Sequence, residues 1–437
     1  MILTDPLTLL ILSSIVLFGF FLIGIPIAIS LALVGVLGLY FFQGDASLAI
    51  FIPFRTLDSF ILTAIPLYIF MGEVLVKCDM SNMIYRGASR LFAWIPGGLF
   101  HSNIAACALF AAISGSSPAT AATIGTVAVP ELKRRNYDVK LTLGSLAAGG
   151  TLGILIPPSI NMIVYGAAAE QSIGRLFAAG IIPGIMLSGI FMLYIALKVV
   201  LSKNKSLAPK EDPFTLKGLA LGLVDLWPLW FLGVVVLGGV FSGIMTPTEA
   251  GAVGASASIL LAIVLRRFSW AFLWDSLESS LETSCMVLFI VIGSSILAAF
   301  FSRAGIPQAV SELLIGSGTS KWMILLYVSI IYLILGCFVD PISMLLLTAP
   351  TVIPLIKEAG FDLIWFGIIY VVLSEIGMIT PPMGLNLFVI QGISKEKLSD
   401  VIFGSLPFFG AMIVLILLLC VFPDLVIWLP DLLFGKS

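Results

Sequence analysis

The amino-acid sequence predicts an all-α integral membrane protein that contains an inverted repeat, two re-entrant helical hairpins and two broken helices. Of its 437 residues, 60% are hydrophobic and only 11% are charged, whereas a soluble domain carries about 25% charged residues. Most of the chain consists of apolar runs about as long as the 20 residues that span a bilayer as a helix. Two such runs are interrupted by polar segments, and two others are interrupted by Pro-Pro pairs.

The composition excludes several other kinds of protein. The net charge of −2 leaves no basic surface for nucleic acid. The five cysteines are scattered without a CxxC pair, the only histidine is His101, and no GxxxxGK[ST] motif occurs. We therefore expect no cofactor, no disulfide framework, no histidine-rich metal site and no ATP binding by a P-loop.

Ten spanning helices and two hairpins account for the apolar runs. The predicted hairpins cover 98–130 and 321–356, and their halves of about 13–18 residues are too short to cross a bilayer comfortably. They are broken by SGSSPAT at 114–120 and by VDPIS at 339–343. The predicted spans are 7–24, 25–42, 61–77, 141–168, 176–200, 226–242, 248–265, 281–301, 364–393 and 401–421.

The basic residues orient these segments in the membrane. Sixteen of the 22 Lys and Arg residues lie on one side, and the positive-inside rule makes that side cytoplasmic. Both termini then lie outside, and the stretches around Arg86 and around Trp270 are predicted to form interfacial helices. The loops assigned to the cytoplasm are 78–97, 131–140, 201–224, 266–280 and 394–400.

A repeat with a constant shift of 224 residues connects the two halves of the chain. Its matched residues are Pro130 with Pro354, Asp138 with Asp362, Gly153 with Gly377, and Pro157-Pro158 with Pro381-Pro382. Five predicted spans, an odd number, separate the two hairpins, so the two copies have opposite orientations. Inverted repeats with interrupted helices in matching positions are typical of secondary transporters, whose binding site lies near the bilayer midplane.

Polar residues at the two predicted hairpin tips are the first candidates for this site. Ser114, Ser116 and Ser117 either supply oxygen ligands or allow close helix packing through small side chains. At the second tip, Asp340 has no Lys or Arg nearby in the sequence, and a carboxylate at this depth needs a partner. Asp340 either takes part in ion coupling or caps the helix that begins at Pro341.

Residues beside the Pro-Pro breaks are the second group of candidates. Thr380 can turn its hydroxyl toward the second break, and Gly377 gives room for a close approach. Asn161 and Asn386 lie just beyond the Pro-Pro pairs, where they either contact a polar solute or make interhelical hydrogen bonds. The C=O groups freed at such breaks can bind Na⁺, and the freed N–H groups can hold an anion.

Three further polar residues are predicted to lie within the membrane: Glu73, Glu375 and His101. Glu73 and Glu375 have either a proton or ion role or a polar contact between helices, and His101 is expected to be structural. The tips and breaks lie in long stretches without Lys or Arg. An anionic substrate would therefore be held by helix N-termini, hydroxyls, amides and co-bound Na⁺, which favours cation symport.

Several long motifs in the same order resemble the large membrane subunit of TRAP transporters (tripartite ATP-independent periplasmic transporters, DctM type). They are SGSSPATAATIG, GILIPPS, VDPISMLLLTAPTVIPLIKEAGFDLIWFG and IGMITPPMGLNLFV, preceded by GIPIAISLALVG at 24–35. The resemblance covers nearly the whole chain. It implies an elevator-type importer of small organic acids, such as sialic acid or C4-dicarboxylates, in the bacterial inner membrane with Na⁺ as coupling ion.

The resemblance also implies partners and a sodium site. A small four-helix membrane subunit would brace the scaffold, and a periplasmic substrate-binding protein would deliver the solute. The implied Na⁺ ligands are Ser114, Ser117, Gly336, Asp340, Gly377, Thr380 and Met383, with Gly153, near Ile156 and Pro157, as the pseudo-symmetric counterpart. The candidate substrate contacts are Ser116, Asn161 and Asn386.

The predicted domain organisation alternates scaffold and transport core. The scaffold segments are 1–97 and 175–280, each with an interfacial arm, and 281–320 with an outer loop. The core segments are 98–174 and 321–397, each with a hairpin and a broken helix, and 398–437 is a C-terminal helix.

Two alternatives stay open at this point. One is a self-sufficient Na⁺/dicarboxylate symporter of related architecture. The other is an intramembrane hydrolase or acyltransferase that uses Ser114–Ser117 with His101, which would have to reach a tip about 20 Å away along a helix.

Overall fold

The computed structural model describes residues 5–43, 46–202 and 215–435. All regular secondary structure in these ranges is helical, as the composition predicts. Half of the predicted cytoplasmic loop at 201–224, residues 203–214, lies outside the described residues.

The helices form two comparable halves of the chain. The first half contains α1 (Pro6–Leu22), α2 (Ile27–Gln43), α3 (Leu48–Leu57), α4 (Ala64–Lys77), α5 (Met80–Phe92), α6 (Leu99–Ser114), α7 (Ser117–Arg134), α8 (Val139–Leu155), α9 (Ile160–Ala168) and α10 (Ile173–Leu201). The second half contains α11 (Leu216–Asp225), α12 (Trp227–Phe241), α13 (Pro247–Val264), α14 (Trp270–Arg303), α15 (Ile306–Ile315), α16 (Lys321–Gly336), α17 (Pro341–Glu358), α18 (Leu363–Met378), α19 (Leu385–Ser394), α20 (Leu398–Val421) and α21 (Asp424–Phe434).

The lengths of these helices fit a protein that crosses the membrane several times. Five of the described helices are long and apolar enough to span on their own: α10, α13, α14, α17 and α20. The pairs α8/α9 and α11/α12 also qualify as single spans, bent by 43° and 54°. Shorter apolar helices, α1 and α2 among them, cover other predicted spans, and α4 occupies only 14 residues of the predicted span 61–77.

The two predicted hairpins and two predicted broken helices are present. Hairpin 1 consists of α6 and α7, and hairpin 2 consists of α16 and α17; the broken helices are α8/α9 and α18/α19. The shift of 224 residues relates their boundaries, because α7 ends at Arg134 and α17 at Glu358, while α8 begins at Val139 and α18 at Leu363. The repeat seen in the sequence is therefore a repeat of structure.

The starts of the broken helices are encoded by matching N-caps. Asp138 accepts a hydrogen bond from the Leu141 N–H at 2.8 Å, and Asp362 accepts one from the Trp365 N–H at the same distance. Each carboxylate satisfies a donor that the first turn of a helix leaves free. These caps fix where each broken helix begins after its hairpin.

Several predicted boundaries differ from the observed ones. The stretch around Trp270 does not form a separate interfacial helix, because α14 runs without a break for 34 residues. At a rise of 1.5 Å per residue this helix is about 50 Å long, more than the hydrocarbon core of about 30 Å requires. Helix α11 begins ahead of the predicted span 226–242, and the short helices α3, α15 and α21 were not predicted.

Glycine contacts define which helices pack most closely. A Cβ added to Gly35 on α2 would lie 2.7 Å from the Leu297 nitrogen of α14, and one added to Gly144 on α8 would lie 2.0 Å from the Gly404 carbonyl oxygen of α20. Small residues at such positions let helix backbones approach in a membrane protein. Helix α14 packs on α2 and α4 and also on α17 of hairpin 2, whereas α10 and α20 pack on each other and on hairpin and broken-helix elements.

Candidate functional site

The tip of hairpin 1 presents a network of hydroxyl groups. Gly115 takes a left-handed conformation (φ +58°) between α6 and α7, which lets the chain reverse there. The hydroxyls of Ser114 and Thr120 are 2.7 Å apart, and Thr120 also donates to the Ser116 carbonyl at 2.8 Å. Ser117 donates to the carbonyl of Thr151 on α8 at 3.1 Å, so the tip is attached to the first broken helix.

The tip of hairpin 2 is built around an N-capping carboxylate. Asp340 accepts a hydrogen bond from the Ser343 N–H at 3.1 Å, so the predicted capping role of Asp340 is present. The Tyr370 hydroxyl on α18 donates to the Pro341 carbonyl. The cap uses one carboxylate oxygen of Asp340 and leaves the other available to an ion. The ion-binding role of Asp340 remains a prediction.

Each hairpin contacts a broken helix at a matched glycine. A Cβ added to Gly377 on α18 would lie 2.6 Å from the backbone of Gly336 on α16, and one added to Gly153 on α8 would lie 2.6 Å from the Ser116 carbonyl oxygen. Since both distances are well below van der Waals contact, only glycine fits at either position. The repeat-related pair Gly153 and Gly377 therefore serves the same purpose, close approach of a hairpin to a break.

Both tips and both breaks meet at one cavity of about 250 Å³, the hairpin-tip cavity. Its polar lining consists of Glu73, Ser114, Ser116, Ser117, Asn161, Thr283 and Asp340. Ile154 and Ile160 flank the first break and Met378 and Leu385 flank the second, and all four residues line the same space. The structure thus brings five of the eleven predicted site residues together in this lining: Ser114, Ser116, Ser117, Asn161 and Asp340.

Six predicted site residues lie outside this lining: Gly153, Gly336, Gly377, Thr380, Met383 and Asn386. Thr380 donates its hydroxyl to the Ile376 carbonyl at 2.6 Å, and Met383 is 59% exposed. Asn386 is buried and donates to the Ala147 carbonyl of α8 at 3.3 Å. Gly336 packs against Gly377, and Gly153 packs against Ser116, so these three glycines could supply only backbone groups to a ligand.

Asn161 and Asn386 lie differently for a geometric reason. The shift of 224 residues relates Asn161 to Leu385 rather than to Asn386, and Leu385 is the residue that lines the cavity. One residue turns an α-helix by about 100°, so the two asparagines face in different directions. Of the two, Asn161 is the one that a solute in the cavity would contact.

Several buried polar atoms near the tips and breaks lack hydrogen-bond partners. They are the Ser159 and Ser343 hydroxyls, the Asn161 amide nitrogen and the Asn386 amide oxygen. Glu375 is fully buried on α18 and faces the backbone of Ile154 and Leu155 beside the first break. Unsatisfied polar atoms are costly in a protein interior, and their concentration here marks a region that gains from polar or ionic ligands.

The cavity is electrostatically suited to a small hard cation. Among the described residues, its lining contains the carboxyl groups of Glu73 and Asp340 and several hydroxyls but no Lys or Arg. Residues at the C-terminal ends of α6, α8 and α18 and at the N-terminal ends of α7, α9 and α17 line it. Oxygen ligands and helix C-termini suit Na⁺, whereas helix N-termini suit a carboxylate.

A second cavity of about 550 Å³, the Arg55 cavity, lies next to the first along the same helices. On α14 the lining changes from Val287 to Val291, and on α17 from Ile342 to Leu346. A difference of four residues is about one helical turn. The two cavities are therefore separated by one turn along the boundary between hairpin 2 and α14.

One contact across this boundary was not predicted from the sequence. Ser294 on α14 donates a hydrogen bond to the Leu346 carbonyl on α17. Pro350, four residues after Leu346, has no N–H to offer that carbonyl. The free carbonyl was visible in the sequence, but its donor on a distant helix was not.

His101 lies in a structural setting at the start of α6. It is buried, and its Nε2 lies 2.7 Å from the Pro96 carbonyl. It does not line the hairpin-tip cavity, so it is not close to the serines that a hydrolase would need.

Comparison with known proteins identifies the family. The chain matches the family described as "Tripartite ATP-independent periplasmic transporter, DctM component" over residues 14–425. The chain belongs to this family. The TRAP resemblance of the motifs is thereby confirmed, and the protein is a multi-pass inner-membrane component of a transporter and not an enzyme.

Two relatives show how similar the sequence of this TRAP subunit is to those of other TRAP permeases. It is 36% identical to the C4-dicarboxylate TRAP transporter large permease protein DctM of Vibrio cholerae, covering 96% of this chain and 97% of that one. It is 34% identical to the 2,3-diketo-L-gulonate TRAP transporter large permease protein YiaN of Escherichia coli, covering 94% and 96%. Among solved structures, the YdaH transporter of Alcanivorax borkumensis has the same fold, with a TM-score of 0.60, 12% identity and coverage of 84% and 85%.

Proposed function

We propose that this TRAP subunit imports small organic acids together with Na⁺ by an elevator mechanism. The observation that carries the proposal is the hairpin-tip cavity, where both tips and both breaks meet around two carboxylates without a basic side chain. An organic anion entering this space would be repelled unless cations accompanied it. Co-bound Na⁺ would neutralise Asp340 and Glu73 and attract the substrate carboxylate, which couples the two ligands.

The proposed ligands follow from the contacts of each residue. Asp340, Ser114 and Ser117 line the cavity and would offer side-chain oxygens to Na⁺. Gly336, Gly377, Thr380 and Met383, with Gly153 in the first half, would contribute chiefly carbonyls from the tip and the breaks. Ser116 and Asn161 would contact the substrate, and Asn386 would support the site from behind through α8.

The proposed moving part is the transport core, consisting of both hairpins and both broken helices. Helices α10 and α20 pack on the core, and we propose that they move with it. Helices α2, α4 and α14 would form the static scaffold. The two cavities, which lie one helical turn apart along the boundary between hairpin 2 and α14, would then be alternately enlarged as the core slides along α14.

The proposal includes two partners and one class of substrate. As a component of a tripartite transporter, the chain would work with a small four-helix membrane subunit and a periplasmic substrate-binding protein. Its relatives carry names of C4-dicarboxylate and 2,3-diketo-L-gulonate transporters, so the solute would be a small carboxylate such as a dicarboxylate, a sugar acid or sialic acid.

Uptake into proteoliposomes tests this function. The chain is reconstituted with the small subunit and binding protein encoded beside it, and uptake of labelled succinate, gluconate and sialic acid is measured under an inward Na⁺ gradient. Uptake of at least one acid, lost when K⁺ replaces Na⁺ and when the binding protein is omitted, is the expected result. Uptake that needs ATP or a proton gradient but no Na⁺ would contradict the proposal, and robust uptake by the chain alone would favour a self-sufficient symporter.

A further inference from the structure

The Arg55 cavity contains one basic and one acidic side chain that do not neutralise each other. Arg55 lies in the last turn of α3, and Glu170 follows α9. In the described part of the chain neither side chain has an ion-pair or hydrogen-bond partner, and both are exposed. The cavity therefore offers a single cationic anchor and, separately, a carboxylate acceptor.

The rest of the polar lining offers hydrogen-bond acceptors and hydroxyls. Thr56, Ser59 and Ser295 contribute hydroxyl groups. Pro350 and Pro354 both line the cavity, and because Pro354 has no N–H, the Pro350 carbonyl loses its usual helical donor. A solute with several hydroxyl groups could satisfy these acceptors, whereas an alkyl chain could not.

The charges in the two cavities are unfavourable to a solute with two carboxylates. In the part of the chain that the structure describes, Arg55 is the sole Lys or Arg that lines either cavity, while Glu170, Glu73 and Asp340 are acidic. Because Na⁺ would neutralise Glu73 and Asp340 in the proposed function, Glu170 in the Arg55 cavity is the carboxylate that would repel a second carboxylate of the solute. The volume of the Arg55 cavity, about 550 Å³, is within the range of pockets for small organic ligands.

We propose that the Arg55 cavity selects a hydroxylated monocarboxylate of the sugar-acid class over a dicarboxylate. Arg55 binds the one carboxylate through charge-assisted hydrogen bonds, and Glu170 with the Pro350 carbonyl accepts hydroxyl donors. The inference deepens the proposed function and rests on it, because it names the class of acid that this transporter admits.

Protection of an introduced thiol tests the inference without requiring transport. Ser295 is replaced by cysteine, since its hydroxyl bonds only to the Val291 carbonyl of the same helix. The full chain with its small subunit, and without binding protein, is treated with a membrane-impermeant methanethiosulfonate in the presence of gluconate or succinate. Labelling of the same chain with Ser295 intact supplies the background from the native cysteines.

We expect gluconate to protect the thiol at a concentration about tenfold lower than succinate, a difference of about 1.4 kcal/mol. Arg55→Gln should raise the protecting concentration of gluconate about tenfold, whereas Lys357→Gln, an exposed lysine outside the cavity, should leave it unchanged. Glu170→Gln should improve protection by succinate selectively. Equal or better protection by succinate in the parent chain, or protection that Arg55→Gln does not weaken, would overturn the inference.

The uptake assay separates this inference from the proposed function. A complex that takes up an acid with Na⁺ but shows no dependence of protection on Arg55 loses the inference and keeps the function. If gluconate protects the thiol but the complex takes up no acid with Na⁺, the proposed function is wrong. The inference then fails as a statement about transport.

Discussion

The hydroxyl of Ser294 on α14 donates a hydrogen bond to the Leu346 carbonyl on α17. It supplies the donor that Pro350 cannot, and it joins a proposed scaffold helix to an arm of hairpin 2. In an elevator mechanism this bond has to break each time the core moves. Ser294 is thus a latch that favours the conformation described here.

Ser294→Ala should shift the conformational equilibrium away from this state. A neutral hydrogen bond contributes about 1 kcal/mol, so we expect about a fivefold change in population. The measurement is the distance distribution between spin labels at Ser302 and Lys357, on α14 and α17. Ser295→Ala is the control, because the Ser295 hydroxyl bonds within its own helix. Equal distributions in Ser294→Ala and the parent chain would show that the bond is not a latch.

Gly377→Ala should damage the site by separating α18 from α16. Its Cβ would lie 2.6 Å from the Gly336 backbone, and overpacking of this kind costs about 1–3 kcal/mol. We expect a lower thermal unfolding midpoint in detergent and loss of uptake. Gly392→Ala on α19 serves as the control, because nothing lies within 4 Å of its added Cβ. A normal midpoint and normal uptake for Gly377→Ala would refute the close-contact argument.

Asp340→Asn should weaken Na⁺ binding while it preserves the helix cap. Asn caps helices about as well as Asp, so the substitution removes only the charge. We expect the Na⁺ concentration for half-maximal uptake to rise about tenfold to a hundredfold, as the loss of a charge-assisted contact of about 1.5–3 kcal/mol implies. Asp362→Asn removes the charge from an equivalent cap that does not line the cavity and should leave the Na⁺ dependence unchanged. The same rise in both variants would assign Asp340 a structural role only.

Ser117→Ala and Thr380→Ala should each reduce the apparent Na⁺ affinity. Ser117 donates to the Thr151 carbonyl and Thr380 to the Ile376 carbonyl, so each hydroxyl oxygen keeps lone pairs free for a cation. The Na⁺ dependence of uptake is the measurement. Thr126→Ala, whose hydroxyl bonds to Ala122 on the exposed side of α7, is the control. If both variants retain parental Na⁺ affinity, the proposed placement of the sodium site is wrong.

The hairpins and breaks were predictable because they depend on local sequence. Proline, glycine and polar residues interrupt the apolar runs, and proline in particular disfavours a continuous helix because it has no backbone N–H. Asp138 and Asp362 mark where the broken helices begin. By contrast, the continuity of α14 was missed, because interfacial composition around Trp270 says nothing about whether a helix ends there. No helix-breaking residue separates Trp270 from the predicted span.

The parts of the site that depend on tertiary contacts could not be predicted. Arg55 and Glu170 are separated by more than a hundred residues and come together only through the packing of α3, α9, α14 and α17. The different orientation of Asn161 and Asn386 follows from a one-residue offset that the sequence did show, but its consequence required the helix geometry. Ser294 likewise gave no signal of its own.

Cross-linking of Ser294→Cys to Leu346→Cys with Hg²⁺ tests the central claim that the core moves against the scaffold. We expect the cross-link to abolish Na⁺-driven uptake and a thiol reductant to restore it. The matched pair Gly38→Cys and Phe300→Cys, on α2 and α14 within the proposed scaffold, should cross-link without blocking uptake. Full uptake by chains that are cross-linked between Ser294 and Leu346 positions would contradict the elevator mechanism.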